Sequence, residues 1–224
     1  MNTKSESAIL DGLDPELVAR MVSRRSIFSR AASSLGAVAT APMLLAAAAT
    51  PSHAFLGAAL PGQIVEVLKF ALTLELLEDE FYRTALAQPG LIPGDHQAVF
   101  RQISKHESAH VAALSGVLGL AAGPRPQFDF TGRGKYPDVF SNFRTFAKLA
   151  QTFEDTGVAA YKGQAGNLMG NDLVLTTALR IHSVEARHAS EVRRVRGQRE
   201  WSGAFDAPMS KAQVLAAVTP FIAG

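Results

Sequence analysis

The sequence predicts an all-α protein, a four-helix bundle in which one long crossover joins the second helix to the third. Three observations predict it. Proline and glycine divide the chain beyond residue 60 into few, long segments. Within them apolar residues step by threes and fours, and no stretch sustains the period-two alternation of a strand. The connections run short, then about twenty residues, then short.

The first helix is predicted over 62–88, in "PGQIVEVLKFALTLELLEDEFYRTALAQPG", with Pro61 at its start and Pro89-Gly90 beyond its end. "PGDHQAVFRQISKHESAHVAALSGVLGL" places the second over 94–119. "AAGPRPQFDFTGRGKYPDVFS" carries too much Gly and Pro to continue a helix and forms the crossover. "NFRTFAKLAQTFEDTGVAAYKGQAGNLMG" gives the third over 142–168, and "NDLVLTTALRIHSVEARHASEVRRVRG" the fourth over 171–196. The bundle is expected over 55–197, with 198–224 a tail that has room for a short helix after Ser210. Short links make two antiparallel hairpins, whereas the long link can run the length of the bundle and leave the second and third helices parallel.

Residues 1–54 are expected to be an address. "SRRSIFSR" precedes the soft apolar run "AASSLGAVATAPMLLAAAAT" and then "PSHAF", the order of an export signal cut after Ala54. Arg24 and Arg25, followed by Ile27 and Phe28, resemble a twin-arginine signal. That resemblance implies the twin-arginine translocation machinery as a partner and a periplasmic or other extracytoplasmic location. Because the route carries folded proteins, it also hints at a cofactor loaded before export. A membrane anchor is the rival reading; Gly36 and Pro42 interrupt the run, and alanine adds little to insertion. His53 leaves with the leader.

Composition narrows the chemistry. The 224 residues are 47% hydrophobic, enough for a core, and contain no Cys, which excludes disulfides, thiolate metal sites and Cys nucleophiles. A formal charge of only +2 argues against nucleic acid as a partner. Arg193, Arg194, Arg196 and Arg199 read as the solvated, dipole-favoured end of the fourth helix.

The apolar stripes hold carboxylates. They run Ile64, Leu68, Ala71, Glu75, Glu78, Tyr82, Leu86 on the first helix and Val99, Ile103, Glu107, His110, Leu114, Val117 on the second. The third gives Phe143, Ala147, Ala150, Glu154, Gly157, Tyr161, and the fourth Val174, Ala178, Ile181, Glu185, His188, Val192, Val195. In each, a glutamate occupies a core slot. A Glu-x-x-His pair puts both side chains roughly 60° apart on neighbouring turns, able to share one partner. The two halves also repeat: Glu75, Tyr82, Glu107 and His110 align with Glu154, Tyr161, Glu185 and His188 at offsets of 79 and 78. A single Glu-x-x-His is more often an exposed polar pair. Two copies, each following a glutamate with a tyrosine seven residues on, point to a duplicated hairpin around a metal site.

Burying a carboxylate costs several kcal/mol unless it is paired or binds a metal. Two divalent cations cancel four glutamates and leave His110 and His188 neutral and free to coordinate. Glutamate oxygen and imidazole nitrogen without sulfur suit iron or manganese, and a Glu plus Glu-x-x-His set is the pattern of di-iron and di-manganese bundles. The expected metal ligands are Glu75, Glu107, His110, Glu154, Glu185 and His188. Around them, Glu78 is an acceptor behind a ligand, an extra ligand or a solvated edge residue. His182 is a supporting donor or a core histidine, and Tyr82 and Tyr161 bond to glutamates, carry an electron or merely fill the core. His96, His106 and Glu80 are expected to be exposed.

These residues, with "FALTLELLEDEFY", resemble the ferritin-like superfamily over residues 60 to 196, and within it the ferritin-like domain family that includes desiccation-related proteins. The resemblance implies a ferritin-like four-helix bundle holding two iron ions or, alternatively, two manganese ions. In it Glu107 and Glu185 bridge, Glu75 and Glu154 cap, and His110 and His188 each ligate one ion. It implies oxygen or peroxide as a partner, in an oxidase or peroxide-reducing protective role. A manganese catalase-like enzyme and a non-enzymatic stress protein are the alternatives. Without Cys there is no fused thiolate electron donor, so reduction requires an external one; a homodimer is compatible with the fold, whereas a large cage fits export poorly.

Overall fold

The computed structural model describes residues 60–201 and 203–223. The expected export signal, its expected cut after Ala54 and the anchor alternative lie outside those residues. Among the described residues five α-helices follow one another: α1 (Gly62–Leu86), α2 (Gln97–Leu118), α3 (Phe143–Gln164), α4 (Asp172–Val195) and the short α5 (Lys211–Val218). Among the described residues the nearest thing to a strand is one isolated antiparallel bridge between Phe128 and Ile222. None of their helices is long and apolar enough to cross a membrane.

Local chemistry sets the boundaries. α2 begins at Gln97, not 94, because Pro93 to His96 close a turn in which the His96 N–H donates to the Pro93 carbonyl at 3.0 Å. α3 ends at Gln164, and its expected last turn tightens into a 3₁₀ segment, Ala165–Leu168. Asn142 and Asn171 cap α3 and α4 by accepting from Arg144 N and Val174 N. Ser210 and Gln213 form a capping box on α5.

Side-chain pairs fix the helix directions. Tyr82 of α1 meets Glu154 of α3, and Tyr161 of α3 meets Glu75 of α1. The number rises by seven on one helix as it falls by seven on the other, so the two are antiparallel. With the short α1–α2 link also reversing direction, α2 runs parallel to α3, as a crossover of this length requires.

Two apolar clusters fill the bundle. One, mostly aromatic, centres on Phe81, whose ring lies 5.1 Å from Phe146, 5.0 Å from Phe153 and 5.3 Å from Phe130. The other is aliphatic and gathers Leu68, Leu72, Leu114, Leu168, Val174 and Ile181. Along each long helix the first cluster lies toward one end and the second toward the other. The predicted glutamates fall between.

The last residues belong to this core. Val214, Val218 and Phe221 are buried in the aromatic cluster, and Asp129 N donates to the Phe221 carbonyl at 2.8 Å. On the way, Met209 N donates to the Ala159 carbonyl, and its own carbonyl lies against Gly163. A Cβ at residue 163 would sit 1.9 Å from that oxygen. Gly163→Ala is therefore expected to displace the tail and lower stability by about 1–3 kcal/mol, read as a Tm loss of roughly 2–4 °C per kcal/mol. An unchanged melting curve would show that the tail does not pack there.

Candidate metal centre

Between the two apolar clusters lies a layer of ionisable groups. Glu75 from α1, Glu107 from α2, Glu154 from α3 and Glu185 from α4 are each 0% exposed. His110 and His188, one turn beyond Glu107 and Glu185, are buried beside them. All six residues singled out by the sequence pattern meet at one level of the bundle. They form two groups that could each hold a metal ion. One is Glu75, Glu107, His110 and Glu185; the other is Glu107, Glu154, Glu185 and His188, and in each the donor atoms lie within 4.8 Å of one another. Glu107 and Glu185 are common to both.

Hydrogen bonding does not account for this packing. His110 Nδ1 lies 3.1 Å from Glu75, 3.3 Å from Glu107 and 3.1 Å from Glu185. One ring N–H cannot donate to all three. His188 Nδ1 sits 2.8 Å from Glu107 Oε1 and 3.4 Å from Glu154 Oε2 without the angle of a hydrogen bond to either. Glu107 Oε1, Glu154 Oε2, both Glu185 oxygens and His188 Nδ1 are thus buried without a hydrogen-bond partner. Orphans of this kind are expected where a cation completes the set.

Two tyrosines hold the outer carboxylates, each reaching across to the other hairpin. Tyr82 donates to Glu154 Oε1, and Tyr161 donates to Glu75 Oε1. Burial, then the charge of the same glutamate, raises each phenol well above its ordinary range, so both keep their protons and act as donors. The pairing left open by the sequence is therefore tyrosine to glutamate.

A fifth carboxylate, Glu78, is 2% exposed, and its Oε2 has no partner. Burial, then the charges of Glu185, Glu154, Glu107 and Glu75, pushes it far up. It is not a solvated edge residue. Gly157, inward on α3, makes its space: a Cβ there would lie 3.0 Å from Glu185 Oε2 and 3.5 Å from Glu78 Oε1.

Five other positions differ from expectation. His106 is half-buried, and its Nδ1 lies 2.8 Å from His188 Nε2; burial, then the charges of His188, His110 and Arg187, lowers it to about 4. His182 has a buried Nε2 with no partner, and the charges acting on it are those of Lys162 and Asp206, not of the glutamates. Asp79, adjacent to Glu78, escaped the stripe pattern. It is buried, with Arg83 at 3.2 Å and Arg125 at 3.1 Å, and accepts from Ser108, tying α1 to α2 and to the crossover. His96 stacks on Phe143, and Glu80 is only partly exposed beside Arg125.

The electrostatics have a sign that can be measured. Burial, followed by the opposing contacts with His110 and His188, leaves Glu107 pushed up to about 7, and Glu185 is raised well above its usual value by burial and by Glu107 and Glu75. Burial lowers His188, but the Glu154 charge and the Glu107 contact outweigh it and bring it to about 10. His110 is raised too: burial is outweighed by Glu107, Glu185 and Glu75. Against burial, the His110 contact and charge hold Glu75 below its usual value.

A raised carboxyl means that the folded chain holds more protons than the unfolded one, so Glu107 contributes stability that falls as pH rises from the carboxylate range to about 7. The His188 contribution is complete below the ordinary imidazole value and is lost as pH rises through about 10. Both act in one direction. The metal-free protein is expected to lose Tm steadily from about pH 5 to about pH 9, while stabilisation by an added divalent ion, which replaces those protons, grows over the same range. A flat metal-free profile would contradict the burial described.

Residues 63–198 match the family described as "Ferritin-like domain", and no curated protein matches the chain. The matched stretch covers more than half of the sequence and carries all six clustered glutamates and histidines. The chain belongs to the ferritin-like domain family.

Proposed function

We propose that the chain is a di-metal carboxylate protein whose ions are iron and which acts on oxygen or peroxide in a protective role outside the cytoplasm. One observation carries the reading: two four-residue groups share Glu107 and Glu185. In this reading Glu75 and His110 would hold one ion and Glu154 and His188 the other, with Glu107 and Glu185 contributing to both groups. The donor set fits. Five buried atoms without hydrogen-bond partners belong to these residues, and oxygen and nitrogen donors without thiolate suit iron or manganese.

When bound, such a pair supplies Lewis acidity and electrons for oxygen chemistry. The protein supplies the rest. The two apolar clusters exclude bulk water from both ends of the layer. Tyr82 and Tyr161 hold Glu154 and Glu75 in fixed rotamers, leaving each a second oxygen for coordination. In the metal-free chain, burial and then the charges of Glu185, Glu154, Glu107 and Glu75 favour the neutral acid at Glu78. Two divalent ions would balance the charge of four glutamates.

Reduction of peroxide to two waters takes two electrons and two protons. The sequence contains no Cys, and with no thiolate centre of its own the site depends on an external donor to restore its electrons after each turnover. The twin-arginine-like leader supports loading in the cytoplasm before export.

Elemental analysis of the purified protein is expected to give about two iron ions per chain. Glu107→Ala and Glu185→Ala should each weaken both ions, whereas Glu75→Ala or Glu154→Ala should weaken one. The losses should be at least the roughly 10–100-fold caused by removing a mere supporting partner. Two manganese ions, with peroxide disproportionated without a reductant, would move the reading to a catalase. No bound metal, with no rise in Tm on adding any, would overturn it.

A further inference from the structure

The duplication that builds the layer is broken at one contact. At the offset of 78 relating Glu107 to Glu185 and His110 to His188, the counterpart of His106 is Val184. His106 Nδ1 reaches across from α2 to His188 Nε2 at 2.8 Å, with only 14° between the ring planes. On its far side, His106 Nε2 meets the exposed side-chain amide of Gln102 at 2.6 Å. The valine at the equivalent place on α4 has no atom that could do the same for His110. Among the described residues, no side chain hydrogen-bonds His110 Nε2.

Resting on the reading of the cluster as a metal site, we propose that His106 is a positioning residue that fixes the tautomer and ring orientation of His188, so that the ion held by Glu154 and His188 binds more tightly and earlier than the ion held by Glu75 and His110.

The argument is one of proton placement. His188 turns Nδ1 toward Glu107 and Glu154, so coordination requires the lone pair on Nδ1 and the proton on Nε2. A buried Nε2–H needs an acceptor, and His106 Nδ1 is that acceptor. The proton of His106 then lies on its own Nε2 and is donated to Gln102, whose amide presents its oxygen after a half turn of its end group. This pattern satisfies the Nε2 side of His188 through His106 and Gln102, so only the Nδ1 proton has to leave when a metal binds. A partner of this kind both orients a ligating imidazole and raises its basicity. His110 instead faces three carboxylates through Nδ1, with no side chain among the described residues to fix its Nε2.

Cobalt(II), added to the metal-free full chain and followed by calorimetry and by its visible ligand-field spectrum, tests this. The wild type is expected to bind two ions in two steps separated by roughly 10–100-fold in affinity. Glu154→Ala should remove the tight step and Glu75→Ala the weak one. His106→Val, which copies the other half, should bring the tight step down to the weak one and leave the weak step alone. His106→Gln, whose amide oxygen can accept from Nε2–H, should restore the separation. If H106V does not fold, His106→Met takes its place, and melting of the metal-free forms shows which variants are intact.

An H106V or H106M titration like that of the wild type would overturn the proposal, as would equal weakening of both steps or a failure of H106Q to rescue. The metal reading survives all three. A wild-type chain that binds no cobalt(II) would remove that reading and the proposal together.

Discussion

Five carboxylates buried in one layer are the constraint on which the rest of the fold depends. Each ionised glutamate taken from water costs several kcal/mol, and neighbours of like charge add to it. The two histidines cannot meet that demand, since a single N–H on each faces two or three acids. A bundle selected for stability alone would place leucines here, as it does one turn away at Leu114 and Leu72. The layer makes sense as a cation cage, and the clusters on either side of it, aromatic toward Phe81 and aliphatic toward Leu68, provide the burial that a helix pair with such a centre could not supply for itself.

The same constraint explains why the supporting contacts cross between hairpins. Within one hairpin, α1 and α2 bring only Glu75, Glu107 and His110 together. Docking of the second hairpin completes each group, because Glu185 enters the first and Glu107 enters the second. The crossed tyrosines enforce that docking: Tyr82 can satisfy Glu154, and Tyr161 Glu75, only with α1 and α3 antiparallel and in this register. Assembly of the two ligand groups, register and topology are therefore a single specification, and the long crossover exists because antiparallel α1 and α3 require the chain to travel back along the bundle.

Much of this was legible in the sequence because it is periodic. Helical spacing reveals a glutamate in an apolar stripe whatever surrounds it, and duplication gave the pattern twice. What escaped was aperiodic. His106 stands beside the stripe of α2 and looks solvent-facing in isolation; its partner lies 82 residues away on α4. Asp79 sits on a helix buried on several sides, where a single-stripe reading cannot apply, and its partner Arg125 comes from the irregular crossover. Stripe residues near helix ends, Leu86, Val99, Phe143 and Val195, are only partly buried, because the bundle thins there and periodicity carries no information about depth. The packing of residues 209 to 222 was invisible for a related reason: a Gly163 that admits a crossing backbone looks like any other glycine in the sequence.

Where the two halves differ is as informative as where they agree. At the offset of 79, Glu78 corresponds to Gly157, and the geometry gives the reason: the room left by the missing side chain is where Glu185 Oε2 and Glu78 Oε1 lie. A glutamate at both places would crowd a sixth carboxylate into space that already holds two, adding charge without adding a cation. Exact symmetry is thus excluded by volume as well as by electrostatics. Once one half carries Glu78 and the other the glycine that accommodates it, the two sides of the layer are no longer interchangeable. His106 opposite Val184 falls into the same logic, a second departure from the repeat that sets one imidazole apart from its twin.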